Sequence, residues 1–245
     1  ATLPGRGLSN PVIAGGRVYL TANTGFEQKR LHVLCLDLKT GKQLWERQFW
    51  ATGGTQCHPK TNMAAPTPVT DGKRIYALFA TGDLVCLDND GDLVWYRSLV
   101  GDYPTIGNNV GMASSPTMWK DVLIVPMENV GESFVAGIDV KTGENRWRID
   151  RPRGINWTTP VVVSNNGKPE VLLQTRQQFA AHDPATGKLL WKWAGDCGGA
   201  PSPVAGDGIL FIAGDKFTAL RPGSAKAEPR VLWENHKLST GYTSP

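Results

Sequence analysis

Short apolar runs alternate along this chain with polar pairs built from Gly, Asp, Asn and Thr. Val12 to Ala14 leads into Gly15-Gly16 and then Arg17 to Thr21. Leu31 to Leu36 follows, and Gln43 to Phe49 comes after Lys39-Thr40-Gly41-Lys42. Runs rich in β-branched and aromatic residues, bounded by residues that tolerate positive φ, predict short strands joined by tight turns. The same arrangement returns around Asp71-Gly72 and Asp90-Gly91, around Asn166-Gly167 and Thr186-Gly187, and at Asp207-Gly208. No stretch sustains the 3.6-residue period of an amphipathic helix.

The strands are grouped in repeats. Trp45, Trp95, Trp147, Trp191 and Trp233 are separated by 50, 52, 44 and 42 residues. A second marker, a Pro usually after Ser or Thr, precedes each of them at Pro11, Pro68, Pro116, Pro160 and Pro203, and returns at Pro245. Two independent markers near one period predict units at about 8–50, 63–100, 112–150, 157–194 and 200–236, with a further unit opening at 241–245. A four-stranded meander cannot bury both of its faces alone, and radial stacking does so while leaving only short edges. The expected fold is therefore all-β, a single β-propeller domain of four-stranded antiparallel blades.

The repeats carry an eleven-residue stretch of the form small-x-Asp-x-x-Thr-Gly-x-x-x-Trp. It stands as Cys35 to Trp45, with Asp37 and Gly41. It recurs as Gly137 to Trp147, with Asp139 and Gly143, and as Ala181 to Trp191, with Asp183 and Gly187. Cys86 to Trp95 is one residue shorter, and the fifth copy is degraded, with Arg221 in place of Asp and an insertion before Trp233. Asp and Thr can cap a turn through local hydrogen bonds and Gly supplies the left-handed conformation. The small leading residue leaves room for the indole, so Cys35 and Cys86 read as buried spacers and all five tryptophans as core.

This tryptophan-docking motif resembles that of the quinoprotein-type (PQQ-like) β-propeller repeat family over nearly the whole chain. Within that family the chain is similar to the lipoprotein propellers of outer-membrane-protein assembly. The resemblance implies a ring of seven or eight blades, of which about five are present. It also implies a periplasmic or otherwise extracytoplasmic location, although no export signal is visible. The opening on Ala1 in place of Met reads as a trimmed chain or a fragment.

Composition narrows the function classes. A net charge of +4, evenly spread, does not suit nucleic acid or an anionic membrane surface. No apolar run approaches the ~20 residues of a membrane-spanning helix. Cys35, Cys57, Cys86 and Cys197 are too irregularly spaced for a disulfide framework or a zinc site, and a Cys57–Cys197 bridge is not expected. Neither His58 nor His182 has a recognisable nucleophile context.

Interblade loops and second-to-third-strand loops share one face of a propeller, the usual binding side. The candidate ligand- or partner-binding residues there are His58, Asn62, Tyr103, Asn109, Arg153, Asn156, Trp157, Arg176, Gln177 and Tyr242. Trp157 could line the channel as a stacking platform or simply pack. No catalytic, cofactor-binding or metal-binding residue is assigned. The expected function is a non-catalytic, protein-binding or scaffolding module of the bacterial cell envelope, without a cofactor. The alternatives are a fragment of a PQQ-dependent alcohol or sugar dehydrogenase, holding PQQ with Ca²⁺, and a propeller binding glycans or another small ligand. The sequence departs from the dehydrogenases in lacking adjacent cysteines and matched calcium ligands.

Overall fold

The computed structural model describes residues 2–54, 56–107, 111–224, 227–238, 241 and 244. They form five antiparallel sheets of four strands in simple meander order. The first holds β1 (Val12–Ala14), β2 (Arg17–Thr24), β3 (Arg30–Asp37) and β4 (Gln43–Trp50). The second holds β5 (Val69–Thr70), β6 (Arg74–Leu78), β7 (Asp83–Asp88) and β8 (Leu93–Ser98), followed by a one-turn helix α1 (Leu99–Asp102). The third comprises β9 (Thr117–Trp119), β10 (Val122–Met127), β11 (Phe134–Asp139) and β12 (Asn145–Asp150). The fourth comprises β13 (Val161–Asn165), β14 (Lys168–Gln174), β15 (Gln178–His182) and β16 (Leu189–Ala194), and the fifth β17 (Val204–Gly206), β18 (Ile209–Ala213), β19 (Phe217–Arg221) and β20 (Arg230–Asn235).

The small residue that opens each motif lies directly across from its tryptophan: Cys35 with Trp45, Cys86 with Trp95, Gly137 with Trp147, Ala181 with Trp191 and Ala219 with Trp233. The register shifts immediately after that residue in all five sheets, so a β-bulge re-aims the outer strand where the indole leaves it. At Gly137 the space is fully used, because an added Cβ would fall 2.1 Å from the Trp147 ring. Cys35 and Cys86 are sealed, and burial pushes both thiols up, Cys86 to about 12.

Three of the five repeat indoles donate to the next sheet's turn. Trp45 Nε1 donates to the Asn89 carbonyl at 2.8 Å, Trp95 to Val140 at 3.0 Å and Trp147 to Pro184 at 3.1 Å. The acceptor is in every case the residue after the turn's Asp. The ring lies on the turn glycine: a Cβ added to Gly91, Gly143 or Gly187 would come within 2.8, 3.0 or 2.9 Å of it. These glycines have φ of +84°, +77° and +73°, so both conformation and contact demand glycine. Within the turns Asp37 and Asp183 each accept from the backbone and hydroxyl of Thr40 and Thr186, which holds the exposed Asp37 carboxyl below its ordinary pKa.

Buried apolar clusters bridge the first three sheets, then the third and fourth, then the fourth and fifth. Phe49 stacking on Tyr96 at 6.0 Å shows the first seam from the side. One expectation, that all five repeat tryptophans are core, needs correction. Trp233 is 44% exposed, since no described sheet lies beyond it. Trp191 is buried, but its N–H turns back to Glu170 Oε2 of its own sheet at 2.9 Å. The fifth sheet's Arg221-Pro222 stretch has replaced the usual Asp-led turn, leaving Trp191 no carbonyl of the usual kind.

Glu170 is buried at that fourth seam and, among the described residues, accepts from two neutral donors, Trp191 and Asn165; Asn165 also donates to the Gly223 carbonyl of the fifth sheet at 2.9 Å. Desolvation raises its pKa above the ordinary carboxylate value. The folded state therefore binds the proton more tightly than the unfolded chain. The stability linked to Glu170 is fully present below the ordinary value and falls as pH rises toward the raised one, then levels off. Unfolding transitions measured across that window should show this decline, and Glu170→Gln, which keeps an acceptor for Trp191, should flatten it.

Candidate functional site

The loops between sheets gather on the face opposite the tight turns, and a buried polar network fixes them. Glu128, just beyond β10, pairs with Arg151 at 2.6 Å, both side chains less than one-tenth exposed. Arg151 also donates to the Gln174 carbonyl at 3.2 Å, and Asn156 donates to that carbonyl at 2.7 Å, to Thr158 and to the second Glu128 oxygen. The Gln174 amide reaches onward to the carbonyls of Cys197, Gly198 and Pro201. One chain of bonds thus ties the third, fourth and fifth sheets together. Asn129, one residue on, ties the loop between the second and third sheets to the third, accepting from Gly107 and Gly131 and donating to Met127 and Glu132.

Arg153, Arg176 and Gln177 on these loops are all exposed, and so are Val130 and Ile155, at 51% and 38%. Neither arginine forms an ion pair among the described residues. Arg176 lies over Gly199, where an added Cβ would meet its Nε at 2.9 Å. Trp157 is half-buried, with its indole N–H on the Gly111 carbonyl at 3.2 Å and its backbone N–H on Gly199, so it stitches two loops together.

The other sequence candidates fall elsewhere. Asn62 is 1% exposed and accepts from Ala64 N and Asn23 Nδ2. His58 is exposed and its Nδ1 accepts from Lys60 N at 3.1 Å. Tyr103 leaves the loop face for the outer flank, between Arg148 and Phe134, its hydroxyl accepting from Asn145. Asn109 and Tyr242 lie outside the described residues. Cys57 and Cys197 are both free thiols, and burial raises Cys197 to about 12. His182 is buried with Nδ1 on the Gly187 carbonyl, and desolvation lowers its pKa, so it is a packed histidine.

Sequence reading missed three polar clusters. Besides the Glu128–Arg151 network, Thr24, His32 and Glu46 form a relay, with Thr24 Oγ1 2.6 Å from His32 Nε2 and His32 Nδ1 2.7 Å from Glu46. Asp83, fully buried, holds Thr52, Thr81 and Tyr96 at a similar level of the second sheet. The recurrence of such ties near the loop ends of strands marks them as clamps. The one local signal was His32 itself, a polar residue inside the apolar run Leu31 to Leu36.

Four-stranded sheets stacked face to face, the first three each locked by an indole on the next sheet's turn, define a β-propeller of the quinoprotein type. Comparison with known proteins agrees. The chain belongs to the family described as outer membrane protein assembly factor BamB, whose model matches residues 1–159 and 131–241. It is 25% identical over 162 residues to the outer membrane protein assembly factor BamB of Alkalilimnicola ehrlichii, covering 66% of this chain and 37% of that protein. Against the same factor from Moranella endobia it is 25% identical over 158 residues, covering 64% and 36%. The chain thus spans little more than a third of these curated relatives. Among solved structures, BamB from Moraxella catarrhalis superposes with a TM-score of 0.67 at 17% identity, covering 100% of this chain and 68% of that one. A europium-containing methanol dehydrogenase gives 0.66 at 14% identity, covering 91% and 50%. Both likenesses speak to the fold alone.

The dehydrogenase fold raises the question of PQQ and its calcium ion. A calcium site needs several oxygen ligands with carboxylate charge to spare. The buried carboxylates among the described residues are Asp83, Glu128 and Glu170, and each is already engaged by protein donors, Glu128 by a guanidinium. No three His, Cys, Asp or Glu side chains converge among the described residues. The described residues do not offer such a calcium site.

Proposed function

We propose that this chain is a non-catalytic protein-binding module of the bacterial cell envelope, acting outside the cytoplasm. Its partner face is the loop surface over the third to fifth sheets. The observation that carries the reading is that the Arg153 and Arg176 guanidiniums, on loops that also expose Val130 and Ile155, form no ion pair among the described residues, while the Glu128–Arg151–Gln174 network pins those loops. Rigid loops reduce the ordering cost of association, and desolvated arginines next to aliphatic contacts are typical anchors. The complementary partner segment is acidic with an apolar residue. Family membership supports a partner within outer-membrane-protein assembly, and the five sheets are read as an arc of a seven- or eight-bladed ring.

The test is surface plasmon resonance against the purified outer-membrane assembly complex of the host. Arg153→Glu/Arg176→Glu should weaken binding by roughly tenfold or more and flatten its salt dependence. Binding that survives the double reversal, or calorimetric binding of PQQ with Ca²⁺, contradicts the proposal. A glycan platform finds less support, because the Trp157 indole is already committed to Gly111.

A further inference from the structure

Neighbouring sheets are held together in two ways, and the fourth seam keeps one of them. At the loop end, the residue before each marker proline donates its backbone N–H to the hydroxyl that precedes the next sheet's proline. Asn10 donates to Thr67 at 3.0 Å, Thr67 to Ser115 at 2.9 Å, Ser115 to Thr159 at 3.1 Å and Thr159 to Ser202 at 2.9 Å. This belt crosses all four seams between the five sheets, and it gives the Ser or Thr before the proline its role. At the turn end the indole lock crosses the first three seams and is missing from the fourth, where Trp191 bonds to Glu170 of its own sheet.

The fourth seam is correspondingly uneven. Its loop end is densely tied: beside the Thr159–Ser202 bond, the Gln174 amide donates to the Gly198 and Pro201 carbonyls at 3.1 Å each, and the Trp157 backbone N–H to Gly199 at 2.9 Å. Its turn end carries a cleft of about 850 Å³ between β13 and β17, lined by Val163, Asn165, Ala205 and Leu210 among others. Ala205 lies across from Leu210, on the face that packs against the fourth sheet, yet it is exposed. Thr70, Met118 and Val162, at the same register of the three preceding sheets, are half-buried. At this end Asn165 donates to the Gly223 carbonyl at 2.9 Å in place of an indole. All of these residues lie between the fourth and fifth sheets, so the unevenness belongs to the seam itself.

We infer that the fourth seam is a hinge: its turn end parts while its loop end stays pinned, widening the cleft between β13 and β17. In a stack of repeats each sheet touches only its neighbours, so a seam with weak contacts opens on its own. At the first three seams the same motion would strip an indole from its carbonyl and its glycine, which confines the parting to the fourth.

Thiol labelling under native conditions tests this on the 245-residue chain in a Cys57→Ser background, which removes the half-buried native thiol. Leu210→Cys puts a thiol at the turn end of the fourth seam, and Leu123→Cys puts one at the same register of the second; the two leucines are 2% and 0% exposed. Cys197, native and fully buried, reports on the loop end of the fourth seam in the same molecule. The Leu210→Cys thiol should label roughly tenfold or more faster than either Leu123→Cys or Cys197. Labelling of Cys197 at the Leu210→Cys rate would mean that the fifth sheet leaves as a whole. Protection of Leu210→Cys at the Leu123→Cys level would mean that the seam stays shut. Either result overturns the inference. The unmodified chain gives a second readout that no substitution can disturb: the Trp191 indole N–H should exchange roughly tenfold or more faster than that of Trp147, although both rings are buried. Equal exchange at the two also overturns it.

Discussion

Replacing Trp147 with alanine is expected to be among the most damaging single changes in the chain, costing about 3–5 kcal/mol and lowering the thermal midpoint by about 10 °C. Trp147 is 8% exposed, fills the space left by Gly137, rests on Gly187 and satisfies the Pro184 carbonyl. Truncation would leave a cavity across both the third sheet and its seam with the fourth, and strip the carbonyl of its donor. Trp233→Ala, the same substitution at an exposed indole, should cost no more than about 1 kcal/mol. Thermal or denaturant unfolding of the two variants side by side checks the contrast. Because stacked repeats need not unfold in one step, hydrogen exchange in β11, β12 and β15 should locate the loss at that seam.

Replacing Arg151 with methionine should cost a comparable amount, about 3–5 kcal/mol, for a different reason. Methionine fills much of the volume, but Glu128 is left charged and buried with Asn156 as its remaining partner, and the Gln174 carbonyl loses a donor. Removing the charge as well, in Arg151→Met/Glu128→Leu, should recover most of the stability. The penalty comes from an uncompensated charge more than from the pair's own net worth. A double-mutant cycle on unfolding free energies gives the coupling directly. The double variant should still bind its partner less well than the wild type, since the loops that carry Arg153 and Arg176 would lose their floor.

The fold was legible because its determinants are local and repeated. A small residue, a capped turn with glycine and an indole four positions later specify a hairpin, its bulge and its seam within eleven residues, so the period exposes the architecture. Exceptions arise where that local grammar is absent. The β9–β10 turn at Lys120-Asp121 carries no glycine or asparagine, yet Lys120 takes φ +51°. Trp191 turns to Glu170 because the next sheet's turn was rebuilt, and an indole's partner on another sheet is not written near the indole.

The loop face was legible only in part, for the same reason. Arg153, Arg176 and Gln177 stand exposed in loops, where sequence position alone suggests accessibility. Asn62, Asn156 and Trp157 look identical in sequence but are drawn into ties by residues far along the chain, and Glu128 meets Arg151 and Asn156 across 23 and 28 positions. Polar identity says what a side chain can bond. Which partner reaches it is decided by the stacking of sheets.

In the first three seams an indole locks each sheet onto the turn of the next. Amide and indole hydrogen exchange followed by NMR tests it most directly, with each tryptophan assigned by single substitution. The indole N–H protons of Trp45, Trp95 and Trp147 should exchange orders of magnitude more slowly than those of Trp50 and Trp233, which are 62% and 44% exposed. Equal, fast exchange at all five would contradict the account.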